Sequence, residues 1–451
     1  MGKVCIIGAG SSGIASCQVL AARGIDFDCF ETGSGVGGNW RYGNDNEMSS
    51  AYRSLFINTS RPMMQYATYP MPVDYPDYPH HTQILRYFED YVDHFGLRER
   101  ISFRTQVTKV SPSPGGGWEV STSGGEPRTY DAVFVANGHH WAPKNPEPSF
   151  PGQDSFTGQQ LHSHHYREPD ERFAGRRVLV LGIGNSAVDI AVESSHHAER
   201  TYLAMRRGAH VVPKYIAGKP VDQLAPPALS RLPFRVTRWF FERQLKTVQG
   251  PMEAYGLPKP DHRFGEAHPT VSSDLLPRLG HGTIAAKPNI SRIDGDTVHF
   301  VDGTSAAVDT IVWCTGYRIK FPFLDAGVMD SAGNHVPLFR RVVHPDRPGL
   351  YFIGLVQPLG AIMPIAELQS EWIADVLEGR AALPAAEEMR AEIAREEENM
   401  RRRYVASTRH TIQVDFHPYM RLLRGERART EGVRRPLRAA AAAPAAAARA
   451  S

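Results

Sequence analysis

Apolar and polar positions along this chain fall into a rhythm that occurs twice. "KVCIIG" (3–8) is a continuous apolar run closed by glycine, the pattern of a strand buried on both faces. "IASCQVLAARG" (14–24) follows at helical spacing, and then a second apolar strand, "DFDCFE" (26–31). The same order returns as "RRVLVLG" (176–182), the helix "NSAVDIAVESS" (185–195) and the strand "RTYLAMRR" (200–207). Two such strand–helix–strand units predict an α/β protein with two Rossmann-like dinucleotide-binding domains. Farther on, "VDTIVWCTGY" (308–317) reads as a short apolar strand and "AIMPIAELQSEWIADVLEG" (361–379) as a closing helix. Residues 385–405 read as a charged surface helix, acidic early and basic late as the helix dipole favours. Residues 215–275 break the rhythm, being rich in proline and aromatics. With "RVTRWFFERQL" (235–245) as an amphipathic helix, they predict an insertion that shapes a substrate entrance. The Ala-rich end, 436–451, predicts a disordered tail.

The turns inside the two units carry chemistry. In Gly8-x-Gly10-x-x-Gly13 the first glycine permits the tight turn. Gly10 lets backbone amides approach a pyrophosphate, and Gly13 lets helix and strand pack closely. Ser12 lies within the turn, at the positive end of the helix dipole. Glu31 ends the second strand 18 positions after Gly13, where a carboxylate can take ribose hydroxyls. The second turn reads Gly182-x-Gly184-x-x-Ala187, with Asn185 and Ser186 opening its helix. No carboxylate stands at the matching distance; Arg206 and Arg207 do. A guanidinium fork suits a phosphate, so this site is read as binding NADP through its 2′-phosphate.

Composition narrows the class. Lys plus Arg number 51 against 48 acidic residues, and a net charge of +3 points to no nucleic acid or other bulk electrostatic partner. The four cysteines, Cys5, Cys17, Cys29 and Cys314, have no C-x-x-C spacing and read as reduced core residues of a cytoplasmic protein. No signal peptide precedes the first strand, and no apolar run is long enough for a membrane span. The histidine pairs 139–140, 164–165 and 196–197 lack regular Cys, Asp or Glu partners, so no metal site is expected.

Two segments carry a family resemblance. "TGSGVGGNWRY" (32–42), with Gly38, Asn39 and Trp40, resembles the second phosphate and ribityl contact of two-dinucleotide-domain flavoproteins, which assigns FAD to the first cradle. Phe156-x-Gly158-x-x-x-His162-x-x-x-Tyr166 resembles the fingerprint of class B flavin-dependent monooxygenases. Tyr166-Arg167 stands where the Baeyer–Villiger branch has Trp-Pro, so the chain looks like the flavin-containing monooxygenases that oxidise nitrogen and sulfur. "FINTSRPMMQY" (56–66), "GHHWAPKNP" (138–146), "CTGYRIKFPFLD" (314–325) and "IGLVQPLGAIMPIAELQSEW" (353–372) extend the resemblance over about residues 3–380.

The resemblance implies a discontinuous FAD-binding domain at 1–150 and 310–435, with an NADPH-binding domain at 151–309 between its parts. The strand in 308–317 would return the chain to the FAD domain. NADPH would reduce FAD, oxygen would add to give a C4a-hydroperoxyflavin, and a soft nitrogen or sulfur nucleophile would take the distal oxygen. Asn58 matches the family's active-site asparagine, Gln357 is a candidate flavin contact, and His162 and Tyr166 would belong to the joint between domains. The implied partners are a small-molecule substrate and O2, with a homodimer left open. Ketone oxygenation of the Baeyer–Villiger type and an NADPH-oxidase-like flavoprotein are the alternatives. The animal relatives carry an apolar C-terminal anchor that this sequence lacks, which favours a soluble protein.

Overall fold

Strands that are apolar at every position have to be covered on both faces, and two parallel sheets do this here. The computed structural model describes residues 2–224, 234–403 and 411–430. In the first sheet Val4–Ile7 lies at the centre, flanked by Ala132–Val135 and then Leu350–Phe352 on one side, and by Phe27–Phe30 and then Ile101–Ser102 on the other. Every pairing is parallel. In the second sheet the order is Ile284–Lys287, Arg200–Ala204, Arg177–Leu181, Thr310–Trp313, Gln159–His162, again all parallel. The two-unit α/β architecture expected from the hydrophobic rhythm is therefore present.

One expectation is corrected. The strand Thr310–Trp313 does not return the chain to the first sheet; it pairs with Gln159–His162 and Arg177–Leu181 in the second. The chain reaches the first sheet again only at Leu350–Phe352. A run such as "TIVW", buried at all four positions, announces a central strand but says nothing of its neighbours. A boundary at residue 310 would thus sever a strand from its own sheet.

Helix Ser11–Ala22 packs along helix Met363–Leu377, and small side chains bring the backbones together: Ser16 Oγ lies 2.9 Å from Ser370 Oγ. Arg23 at the end of the first helix reaches Asp375 at 2.7 Å. The predicted insertion has a small core of its own, Val212, Ile216 and Leu245 with Phe241 and Phe264 packed on it. Its amphipathic helix spans Phe234–Gln249, while residues 225–233 lie outside the described residues. Its two ends are drawn together where Val211–Val212 pairs with Thr270–Val271. Among the described residues no helix is long and apolar enough to cross a membrane. The Ala-rich tail lies outside the described residues.

The charged helix, Ala386–Arg403, carries Glu387 and Glu388 in its first turn and Arg401 to Arg403 in its last, as read from the sequence. It is more than a solvated surface, because Met389 and Ile393 are buried. Glu392 and Glu396 also converge on Arg340, whose Nε donates to Glu426 Oε1 at 2.9 Å. Arg340 is 8% exposed and holds the charged helix and helix Phe416–Arg427 onto the core. Removing one partner of a buried charge cluster strands the others. Arg340→Met is expected to destabilise the fold by about 3 kcal/mol, read from thermal or urea unfolding.

Candidate functional site

The first cradle is built where a strand ends against a helix start. Gly8 has φ +98°, and a Cβ there would lie 2.8 Å from the Ala136 carbonyl oxygen, so only glycine fits. At Gly13 a Cβ would come within 1.8 Å of the Gly8 carbonyl oxygen, which is the close helix–turn approach that its spacing predicts. Gly10 caps helix Ser11–Ala22 without any side-chain hydrogen bond. Gly10, Ser11 and Ser12 line the main cavity, leaving the positive helix end free to receive an anion.

Glu31 is 5% exposed and accepts from Ala9 N and Gly33 N, both at 2.7 Å. Asn46 Nδ2 also donates to it at 3.3 Å, so the carboxylate braces the turn at the cavity wall, where a ribose hydroxyl could also donate. Gly38, Asn39 and Trp40 form a short 3-10 turn against this site, and Asn39 Oδ1 accepts from Ser50 N at 2.8 Å. Gln357 begins a strand that lies beside Gln413–Asp415, and its backbone N–H donates to Ile412 O at 2.8 Å.

The second cradle repeats the construction. Gly182 has φ +138°, and a Cβ there would meet Cys314 O at 2.9 Å. Gly184 caps helix Asn185–Ser194, again without a side-chain hydrogen bond. Asn185 Oδ1 accepts from Val271 N at 2.8 Å, so half of its amide ties the turn to the strand that closes the insertion. Arg206 and Arg207 are exposed at the cavity edge. Arg207 pairs with Asp261 at 3.2 Å, and Arg206 has no ion pair among the described residues.

Both cradles open into one cavity of about 1280 Å³. Asn58, half-buried, lines it together with Ile57, Thr59 and Met64. The fingerprint residues Phe156, Gly158, His162 and Tyr166 stand behind the wall instead. Tyr166 is fully buried and its hydroxyl donates to Glu193 Oε2 at 2.7 Å, which Ser54 also reaches at 2.7 Å. Tyr52 donates to Asp189 on the same helix. Arg167 donates to Ser49 O at 3.0 Å, and His164 Nε2 to Glu47 O at 3.0 Å. The fingerprint thus ties the second sheet's helix to the loop 47–54 of the first half. Burial raises the Asp189 carboxyl to about 6.

Some wall residues carried no sequence signal. Thr411 and Ile412 reach the cavity from the C-terminal segment. Each owes its place to a tertiary contact, such as the donation of Gln357 N to Ile412 O, rather than to a motif. The four cysteines are free, and among the described residues no group of His, Cys, Asp and Glu could hold a metal.

The chain matches the family described as flavin-binding monooxygenase-like over residues 1–427. It is 40% identical to flavin-containing monooxygenase 5 of Oryctolagus cuniculus over 432 residues, covering 92% of this chain and 80% of that protein. It is 36% identical to that organism's dimethylaniline monooxygenase [N-oxide-forming] 2 over 436 residues, covering 93% and 81%. Among solved structures, S-allyl-L-cysteine S-oxygenase from Allium sativum superposes with TM-score 0.72 at 28% identity, over 95% of this chain and 89% of that one. An open form of cyclohexanone monooxygenase superposes with TM-score 0.70 at 19% identity, over 94% and 97%, a likeness of fold alone. The protein belongs to the flavin-containing monooxygenase family. It is a flavin-dependent monooxygenase that uses O2. The uncapped helix starts, the glycine turns with no room for a Cβ and the buried Glu31 carboxylate fit the FAD and NADPH that the sequence leads one to expect.

Burial, with His164 and His165 nearby, pulls His162 from 6.5 down to about 4. The fold therefore favours the neutral ring, and that stability is present above 6.5 and lost as pH falls through about 4. His162→Gln is expected to flatten the acid limb of the melting-temperature profile across this window.

Proposed function

We propose that this enzyme oxygenates soft nucleophilic nitrogen or sulfur atoms of small molecules. The observation that carries this reading is the Asn58 amide, half-buried and without a hydrogen-bond partner among the described residues, on the wall of the cavity that both cradles share. Bound FAD, reduced by NADPH, supplies the chemistry by activating O2 for transfer of one oxygen atom. The chain is then left to bind, orient and exclude water. The carboxylates lining the cavity support this division of labour, since Glu31 braces the first turn and Glu147 pairs with Arg318. A soft nucleophile needs no general base.

In this reading Gly8, Gly10, Ser12, Gly13, Glu31, Gly38, Asn39, Trp40 and Gln357 hold FAD. Gly182, Gly184, Asn185 and Ser186 hold the NADPH pyrophosphate, and Arg206 and Arg207 its 2′-phosphate. Asn58 donates and accepts at the reacting centre without titrating. Tyr166 at the end of the fingerprint supports the heteroatom branch, as do the N-oxide-forming and S-oxygenase activities in the names of two relatives.

Product analysis with a tertiary amine, a thioether and a cyclic ketone tests the substrate class. N-oxide and sulfoxide are expected to form in step with NADPH use; lactone as the main product would overturn the reading. Arg206→Ala and Arg207→Ala are each expected to raise KM for NADPH about tenfold, the scale of a lost charge-assisted contact, with KM for NADH little changed. Equal effects on the two coenzymes would remove the phosphate clamp.

A further inference from the structure

The unpartnered Asn58 side chain has to take its direction from the backbone on either side of it. On the N-terminal side, Ile57 N donates to Pro79 O at 3.1 Å, and Ile57 O accepts from Lys214 Nζ at 3.3 Å. On the C-terminal side, Ser60 N donates to Asp222 Oδ2 at 2.6 Å, and Ser60 Oγ lies 2.9 Å from Gln223 Nε2. Asp222 and Gln223 come from one arm of the insertion and Lys214 immediately precedes it, in the half of the molecule that carries the second cradle. Tyr78 OH donates to Lys214 O at 2.6 Å, and Tyr215 OH to Asp77 Oδ2 at 3.0 Å, so the arm is fastened along its length. The Lys214 ammonium lies 5.6 Å from the centroid of the Phe56 ring and 5.0 Å from that of Tyr78, held between apolar faces rather than in open water. Burial lowers its pKa. Lys214, Asp222 and Gln223 do not line the cavity, so any influence on the reaction passes through the backbone around Asn58.

We propose that Lys214 and Asp222 are positioning residues that set the Asn58 amide, so that the coenzyme half controls how much activated oxygen reaches substrate. In the productive course NADPH, H⁺, O2 and substrate give NADP⁺, water and oxygenated substrate. In the leak, NADPH, H⁺ and O2 give NADP⁺ and hydrogen peroxide. A donor displaced by a fraction of an ångström favours the leak, because its hydrogen bond is directional and the reacting atoms must stay aligned. The inference rests on Asn58 lying at the reacting centre, as argued under Proposed function.

The test compares Asp222→Ala, Lys214→Met and Asp222→Asn in the full-length holoenzyme. Three quantities are read: amide hydrogen exchange over residues 57–64, anaerobic flavin reduction by NADPH, and the ratio of oxygenated product to hydrogen peroxide. Asp222→Ala and Lys214→Met are expected to speed exchange over 57–64 and to lower the product-to-peroxide ratio about fivefold, the scale of one lost hydrogen bond. Flavin reduction stays within about twofold of wild type, since the cradles are untouched. Asp222→Asn keeps an acceptor for Ser60 N and restores most of the ratio. Adding Asp222→Ala to Asn58→Ala brings no further loss, because both act on one group.

Unchanged exchange, an unchanged ratio, or an Asn variant no better than Ala would each overturn the inference. If Asp222→Ala loses FAD, Lys214→Met decides, since it keeps the packed stem. A wild type that makes neither N-oxide nor sulfoxide defeats the substrate reading, while exchange over 57–64 still decides on the arm.

Discussion

A helix can hold a pyrophosphate on its first amides only if nothing else has satisfied them, and this structure is arranged around keeping two such helix starts bare. At Gly10 and Gly184 no side chain caps the helix, although serine, threonine, asparagine and aspartate are the common choices there. Glycine also keeps the turns tight: a Cβ at Gly8 would meet the Ala136 carbonyl and one at Gly182 the Cys314 carbonyl. Both helix starts give up local stability, and the binding of an anionic cofactor is the interaction that compensates.

Two bare helix starts are useful together only if they open onto the same cavity, and the joint between the halves helps to secure this. Beside the apolar packing of Tyr52 and Leu55 on the second half, it carries a set of paired polar groups, of which Tyr52 and Tyr166 are buried. Tyr166 and Ser54 meet at Glu193, Tyr52 meets Asp189, and Arg167 reaches the Ser49 carbonyl. A buried hydroxyl or carboxylate left unpaired costs more than its bond gains, so such a joint has essentially one satisfactory register. An apolar interface would allow sliding. This specificity fits a reaction in which reductant and flavin have to share a single cavity.

The C-terminal part of the chain has a comparable role on the side of the first cradle. Arg340 gathers Glu392, Glu396 and Glu426 from two helices, and Gln357 pairs with the strand Gln413–Asp415, bringing Thr411 and Ile412 to the cavity wall. Elements distant in sequence thus close a site that the N-terminal unit begins.

Local pattern was enough to read the elements and the form of the two cradles. The strands Val4–Ile7 and Arg177–Leu181, their helices, the three first-cradle glycines, Glu31 and the paired arginines all follow from spacing, because a strand–turn–helix is decided by neighbours in sequence. The partners of Thr310–Trp313 were not legible, since a strand buried on both faces fits any sheet that has room for it. Nor were Lys214, Asp222, Thr411 and Ile412, whose places depend on backbone groups far away along the chain. The sequence by itself determined which segments have the form of a dinucleotide cradle; the tertiary structure alone decided that both cradles open onto one cavity and what holds the backbone around Asn58, because hydrogen bonds between distant segments leave no periodic trace in the chain.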